Sequence, residues 1–248
     1  LILPIGISFY TFQSLSYSID IYRGNLVPSK SLREYSLFVA FFPSLVAGPI
    51  VRAKDFLPQL REKINDRYNG KIKQILVDNS NLKFGITLMA IGFFKKMFFA
   101  DNISPLVNSI FANPIGFDSS TIFLGAIASG IQIYCDFSGY SDIAIGAALI
   151  IGIKIPKNFN KPFFATSPSN FWERWHISLS SWVRDYLYFP LVFKRRKSIV
   201  FVACSVFFTM IILGIWHGAG WNFIIFGVIH GLVIAGHRLL SHVMPQKI

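Results

Sequence analysis

Five histidines are the sequence's candidates for proton chemistry near neutral pH: His176, His217, His230, His237 and His242. His217 sits in Trp216-His217-Gly218-Ala219-Gly220-Trp221, directly after the uncharged run Ser198–Trp216 and before a second apolar run. An ionisable side chain between two such runs marks a functional site by default. Flanking Gly218 and Gly220 let the backbone bend and a substrate approach closely. A neutral imidazole there can accept the proton of a hydroxyl group; the competing reading is a loop histidine at the lipid headgroup level. His230 lies within an apolar run, where a neighbouring carbonyl is expected to satisfy it. His237 and His242, beside Arg238, read as interfacial.

His176 falls in the amphipathic stretch Asn170–Leu187, where Asn170 and Glu173 have the spacing of a capping box and predict a helix start. At about 100° per residue, Phe171, Trp172, Trp175, Leu179, Trp182, Val183 and Tyr186 share one broad face. Glu173, His176, Ser180 and Arg184 form a narrow polar stripe beside it. A second polar constellation is Tyr134-Cys135-Asp136-Phe137-Ser138-Gly139-Tyr140-Ser141-Asp142, which places two carboxylates between apolar flanks. Carboxylates at membrane depth face a cavity or a partner. Asp136 and Asp142 therefore either line a tunnel or proton relay, or pair with a base such as Arg174 or Arg184.

Other chemistries lack their residues. There is no Gly-x-Ser-x-Gly elbow, no phosphate-binding loop or His-Glu-x-x-His, and no Cys-x-x-Cys pair, so no metal site is expected. The fifth residue after His176 is Ser181 and after His217 is Asn222, so neither histidine lies in a His-x₄-Asp arrangement. Cys135 and Cys204, each inside an apolar run, read as buried free thiols.

The elements that must position these groups belong to a membrane protein. Of 248 residues, 53% are hydrophobic and only 15% charged, with a mean hydropathy of +0.51. Soluble domains carry about 25% charged residues, so a cytosolic enzyme, a disordered tail and a disulfide scaffold are excluded. The net charge of +12 is carried by bases flanking apolar runs, as in Arg61-Glu62-Lys63, Lys95-Lys96 and Lys194-Arg195-Arg196-Lys197. That placement suits anionic membrane lipid and not nucleic acid, and it predicts a cytoplasmic Lys194–Lys197. Uncharged runs cover Leu1–Ile19, Tyr35–Val51, Ser119–Cys135, Ser198–Trp216 and Trp221–Gly236; Phe84–Ala100 is broken by Lys95 and Lys96, and Phe137–Ile153 by Asp142. Pro4, Pro43, Gly48 and Pro49 interrupt the first two, predicting broken or re-entrant helices around something polar. Leu57, Leu60, Ile64, Tyr68, Ile72 and Ile75 recur at helical spacing among Lys and Arg, with Gly70 a weak point. They predict a helix in the membrane interface or one packed on the protein. The chain opens on Leu1 without a basic n-region, so no signal peptide is expected. Earlier spans are expected to precede it, with residues 1–248 forming one membrane domain.

Three ordered blocks, with Trp216-His217-Gly218-Ala219 after them, resemble the membrane-bound O-acyltransferase family, and within it the branch of the alginate O-acetylation membrane subunit. They are Leu3-Pro4-Ile5-Gly6-Ile7-Ser8-Phe9-Tyr10-Thr11-Phe12-Gln13; Asp136-Phe137-Ser138-Gly139-Tyr140-Ser141-Asp142 running on to Pro156-Lys157-Asn158-Phe159-Asn160; and Phe171-Trp172-Glu173-Arg174-Trp175-His176-Ile177-Ser178-Leu179-Ser180. The resemblance implies an all-α polytopic fold ringing a tunnel, in the bacterial inner membrane. It implies His217 as the catalytic histidine and His176 as its companion, with Asp136, Ser138, Tyr140, Arg174, Trp175 and Ser180 lining the tunnel or binding substrate. It further implies acetyl-CoA or another acyl thioester as donor substrate, no bound cofactor, a polysaccharide acceptor and an extracytoplasmic acetyltransferase partner. After Tyr188-Phe189-Pro190-Leu191 the chain departs from the branch's Gly-Gly-Asn-Arg-like turn and reads Val192-Phe193-Lys194-Arg195-Arg196-Lys197. D-alanyl transfer to teichoic acid by the related branch therefore stays open, as do a transporter using Asp136 and Asp142 and a purely structural membrane subunit.

Overall fold

The computed structural model describes residues 6–68 and 79–244, and all regular structure among them is helical, as the all-α expectation requires. The chain divides into two compact units, Leu1–Asn158 and Phe159–Ile248. The first contains α1 (Ile7–Tyr22), α2 (Leu32–Val39), α3 (Ala53–Tyr68), α4 (Asn79–Phe93), α5 (Asp101–Ala112) and α6 (Ser119–Ile150), with a π-helical stretch, Phe94–Ala100, joining α4 to α5. The second contains α7 (Pro168–Arg174), α8 (Ile177–Val183), a π-helical stretch over Arg184–Tyr188, α9 (Phe189–Val192), α10 (Ile199–His217) and α11 (Trp221–Val243).

Three of these, α6, α10 and α11, are long and apolar enough to cross a membrane. The two runs expected on either side of Asp136 form one helix of 32 residues, roughly 48 Å long and so longer than a ~30 Å hydrocarbon core. No proline interrupts it, and Asp118 caps its start by accepting the Thr121 N–H at 2.9 Å. Tyr35–Val51 forms no membrane-length helix: α2 stops at Val39, and Pro43 opens a single 3₁₀ turn, Phe42–Ser44. On α1 the buried residues are polar, Gln13, Ser16 and Asp20, while Ile7 and Leu15 are exposed. That inverted distribution suits an element whose surroundings are apolar. The first half of the Leu57–Ile75 stretch packs on the protein, since Phe56 and Leu57 of α3 are buried against Phe38 and Val51. Its second half, with Gly70, Ile72 and Ile75, lies outside the described residues.

α4 and α6 run against each other through two reciprocal glycine contacts. A Cβ on Gly92 would lie 2.5 Å from the Gly139 carbonyl oxygen, and one on Gly146 would lie 2.5 Å from that of Gly85. Both pairs are seven residues apart on each helix, so backbone meets backbone at two successive crossings of one face. Gly139→Ala or Gly92→Ala is expected to cost about 1–3 kcal/mol, the range for overpacking, while Gly130→Ala, with nothing within 4 Å, should be neutral. Thermal midpoints of the purified variants check this.

Of the two cysteines, Cys135 is buried but Cys204 is exposed. The helical period of α10 turns Cys204 away from the face formed by Ala203, Val206, Met210 and Leu213, all buried.

Candidate functional site

The stretch Asn170–Leu187 is not one helix. α7 starts earlier than the capping box implied, because Ser167 is the cap, accepting the Asn170 N–H at 3.1 Å, and Pro168 occupies the first turn. Asn170 serves the helix surface instead: its amide donates to Glu173 (3.0 Å), and its oxygen accepts from Arg174 Nε (2.8 Å). The helix ends at Arg174; Trp175 is extended, and His176 takes the left-handed conformation, with φ 42° and ψ 54°. The break is imposed from outside the stretch. The Trp175 ring stacks on Phe171 at 5.6 Å and meets the Phe159 edge at 5.0 Å, while Asn160 N–H donates to the Arg174 carbonyl at 2.9 Å. The Ser180 hydroxyl donates to the Trp175 carbonyl at 3.0 Å, so carbonyls released by the break are satisfied. The polar stripe is thereby split. Glu173, Ser180 and Arg184 border one cavity, and His176 does not line it.

His176 is instead buried, at 5% exposure, in a conformation that few non-glycine residues adopt. Burial pushes its imidazole down to about 3, and the nearby His217, which would oppose a second positive charge, adds to the effect. His176 is therefore neutral at physiological pH and a weak proton acceptor. Unfolded, it takes a proton below about pH 6.5; folded, it stays neutral to about 3. Between those values the unfolded state binds more protons, so stability is present above pH 6.5 and falls on acidification, by up to roughly 1.4 kcal/mol per pH unit. Unfolding of detergent-solubilised protein from pH 8 to pH 5 should show that loss, and His176→Gln should lessen it.

His217 ends α10, and its ring is exposed. Three aromatic rings fix it: Trp216 at 4.8 Å, Phe223 stacked at 6.5 Å and Phe226 edge-on at 5.6 Å. A Cβ on Gly218 would run into the Phe223 ring, which would have to shift to admit it. The α11 residue Phe226 also holds His230 at 4.4 Å, and His230 meets Trp172 at 5.3 Å. The contacts around the His230 ring are thus aromatic, where a backbone carbonyl was expected. The i, i+4 spacing of Phe226 and His230 was readable on α11, but the junction with Trp172 is tertiary.

The other candidates divide between the units. Arg174, Trp175 and Ser180 build the break beside His176, whereas Asp136, Ser138 and Tyr140 lie on α6 in the first unit. Asp136 pairs with Lys96 at 2.7 Å and Asp142 with Lys95 at 2.6 Å, so their partners are not Arg174 or Arg184. The π-helical turn of Phe94–Ala100 presents both lysines to α6, and the charges that interrupted Phe84–Ala100 and Phe137–Ile153 neutralise one another. Arg184 is held by Asp185 at 2.8 Å. The Tyr140 hydroxyl accepts the Ala47 N–H, Asn158 donates to Ser141 at 3.1 Å, and Ser138 is buried with its hydroxyl oxygen unpartnered.

Comparison with known proteins gives this arrangement a context. A family model described as MBOAT, membrane-bound O-acyltransferase family, matches residues 28–247. The chain is 43% identical over 242 residues to the probable alginate O-acetylase AlgI of Azotobacter vinelandii, covering 97% of this chain and 45% of the relative. It is 37% identical over 272 residues to the peptidoglycan O-acetyltransferase of Helicobacter pylori (98% and 49%). It is 31% identical over 249 residues to the teichoic acid D-alanyltransferase of Bacillus subtilis (96% and 59%). The chain spans about half the length of the curated relatives it matches.

Proposed function

The chain belongs to the membrane-bound O-acyltransferase family, and from that premise we propose that it moves an acyl group, most simply acetyl, from a cytoplasmic thioester to hydroxyls of an extracellular polysaccharide. Transfer is direct or passes through an extracytoplasmic partner, and the protein sits as a multi-pass protein in the bacterial cytoplasmic membrane. The observation that carries this reading is an exposed imidazole, His217, at the end of a membrane-length helix and within electrostatic reach of a buried, neutral one, His176. His217 accepts the proton of the acceptor hydroxyl as its oxygen attacks the thioester carbonyl. Collapse of the tetrahedral intermediate breaks the carbon–sulfur bond, and the thiolate recovers that proton from the imidazolium. His176 is too weak an acceptor for this step and holds the reacting groups in place. Acetyl transfer is favoured over D-alanyl transfer by the higher identity to proteins named for O-acetylation.

Lys194–Lys197 precede α10, and His217 ends it, so its 19 residues separate bases from imidazole by about 28 Å. With the bases cytoplasmic, proton abstraction takes place toward the outer face. Arg196→Cys in intact cells should resist an impermeant thiol reagent; labelling from outside would reverse the orientation. Transfer itself is tested by incubating membranes holding the full-length protein with a labelled acetyl thioester and the cell's own polysaccharide. Base-labile label on the glycan is expected, and solute flux without ester would indicate a transporter.

A further inference from the structure

A cavity of about 410 Å³ lies within the unit Phe159–Ile248, and neither His176 nor His217 lines it. One wall is an apolar stripe: Val206, Met210 and Leu213 recur at i, i+4 and i+7 on α10, with Ile234 opposite on α11, and all four are buried. The charged part of the lining holds two guanidiniums, Arg238 and Arg184, the latter with its Nε on Asp185 at 2.8 Å, and one carboxylate, Glu173, which accepts from the Asn170 amide. Arg238 is preset. Its Nη1 donates to the Tyr188 hydroxyl at 2.7 Å, and its guanidinium lies over the Tyr188 ring at 5.4 Å.

The depth of these groups identifies what fits. α10 and α11 are antiparallel, with Gly227 against Met210 and Gly231 against Phe207. Continuing that register brings Arg238 level with the first turns of α10, the end that follows the exposed Lys194–Lys197. The cavity therefore has two guanidinium groups at its mouth, at the height of a basic interfacial turn, and an apolar wall running toward mid-membrane. An acetyl group has no need of such a wall, but an alkyl chain does.

We propose that this cavity is a binding site for an anionic membrane phospholipid, with its phosphate at Arg184 and Arg238 and one acyl chain along Val206, Met210, Leu213 and Ile234. Basic pockets between membrane helices on the cytoplasmic side bind such headgroups, and guanidinium forks favour phosphate. The site stands whether or not the protein transfers acyl groups.

The test uses the full-length protein in phosphatidylcholine nanodiscs with a trace of phosphatidylglycerol carrying a photoreactive acyl chain. Cross-links should map to the Val206–Leu213 and Ile234 peptides. They should fall about tenfold or more with a phosphatidylcholine probe, and equally in the double variant Arg184→Gln/Arg238→Gln, given the usual contribution of each base to anionic lipid binding. Leu213→Trp, which fills the apolar wall and leaves both arginines intact, should lower the yield as far and decides the matter if the double variant does not fold. Equal yields from the two lipid probes, or an unchanged yield in Leu213→Trp, would overturn the proposal. So would displacement by inorganic phosphate, which would indicate a simple anion site, or by an acetyl thioester, which would assign the cavity to the donor.

Discussion

Replacing His217 by Gln is expected to lower acyl transfer by roughly 10²–10⁴-fold, the usual contribution of a general base, with protein abundance unchanged. Gln keeps a neutral hydrogen-bonding group but takes no proton near neutral pH. The ring is exposed at the end of α10 and touched by Trp216, Phe223 and Phe226, so the substitution leaves no buried polar group stranded. The companion change, His176→Gln, is expected to retain measurable transfer. Its loss is that of a positioning contact, up to about 10²-fold, and part of it arises from the left-handed backbone, φ 42°, which Gln tolerates poorly. His176→Asn separates the two effects because Asn accepts that conformation: it should fold better than His176→Gln while still slowing transfer. Initial rates from a labelled thioester at matched protein level distinguish the variants. Equal and complete loss in both Gln variants would mean that the histidines work as a coupled pair.

The second large effect concerns stability. Lys95→Met should destabilise the protein by about 3–5 kcal/mol, because it leaves the Asp142 carboxylate without its partner inside a membrane-length helix. The pair is short, 2.6 Å, and mostly shielded, at 27% and 20% side-chain exposure. Removing both charges together, as Lys95→Met/Asp142→Asn, should restore most of the loss, since an apolar or neutral pair avoids the cost of burying ions. Lys96→Met should cost less, because its partners Asp136 and Asp101 are each about half-exposed, at 49% and 51%. Thermal unfolding of the three variants and the wild type in one detergent gives the ordering. A double variant no better than Lys95→Met would show that Asp142 has a second role beyond the pair.

Much of this was legible in order along the chain. His217 stood out because an ionisable group interrupts two apolar runs between glycines, and α10 and α11 followed from those runs. Whatever depended on distant residues was not. Local periodicity carries a helix straight through Trp175 and His176, and the contacts at its break come from Phe159, Asn160 and Phe163, outside that stretch. Asp136 and Asp142 read as interruptions because their lysines lie 40 and 47 residues earlier, on a π-helical turn that no periodicity announces. For His230 the sequence pointed to a neighbouring carbonyl and not to an aromatic partner, because Trp172, which meets it, comes from α7.

The most direct measurement is the ester content of the cell-surface polysaccharide in a strain whose sole copy of the gene encodes His217→Gln, compared with wild type at equal protein level. The expected result is a fall of about a hundredfold or more in base-labile acyl groups, with His176→Gln in between. Wild-type ester content in the His217→Gln strain would contradict the assignment of His217 as the base.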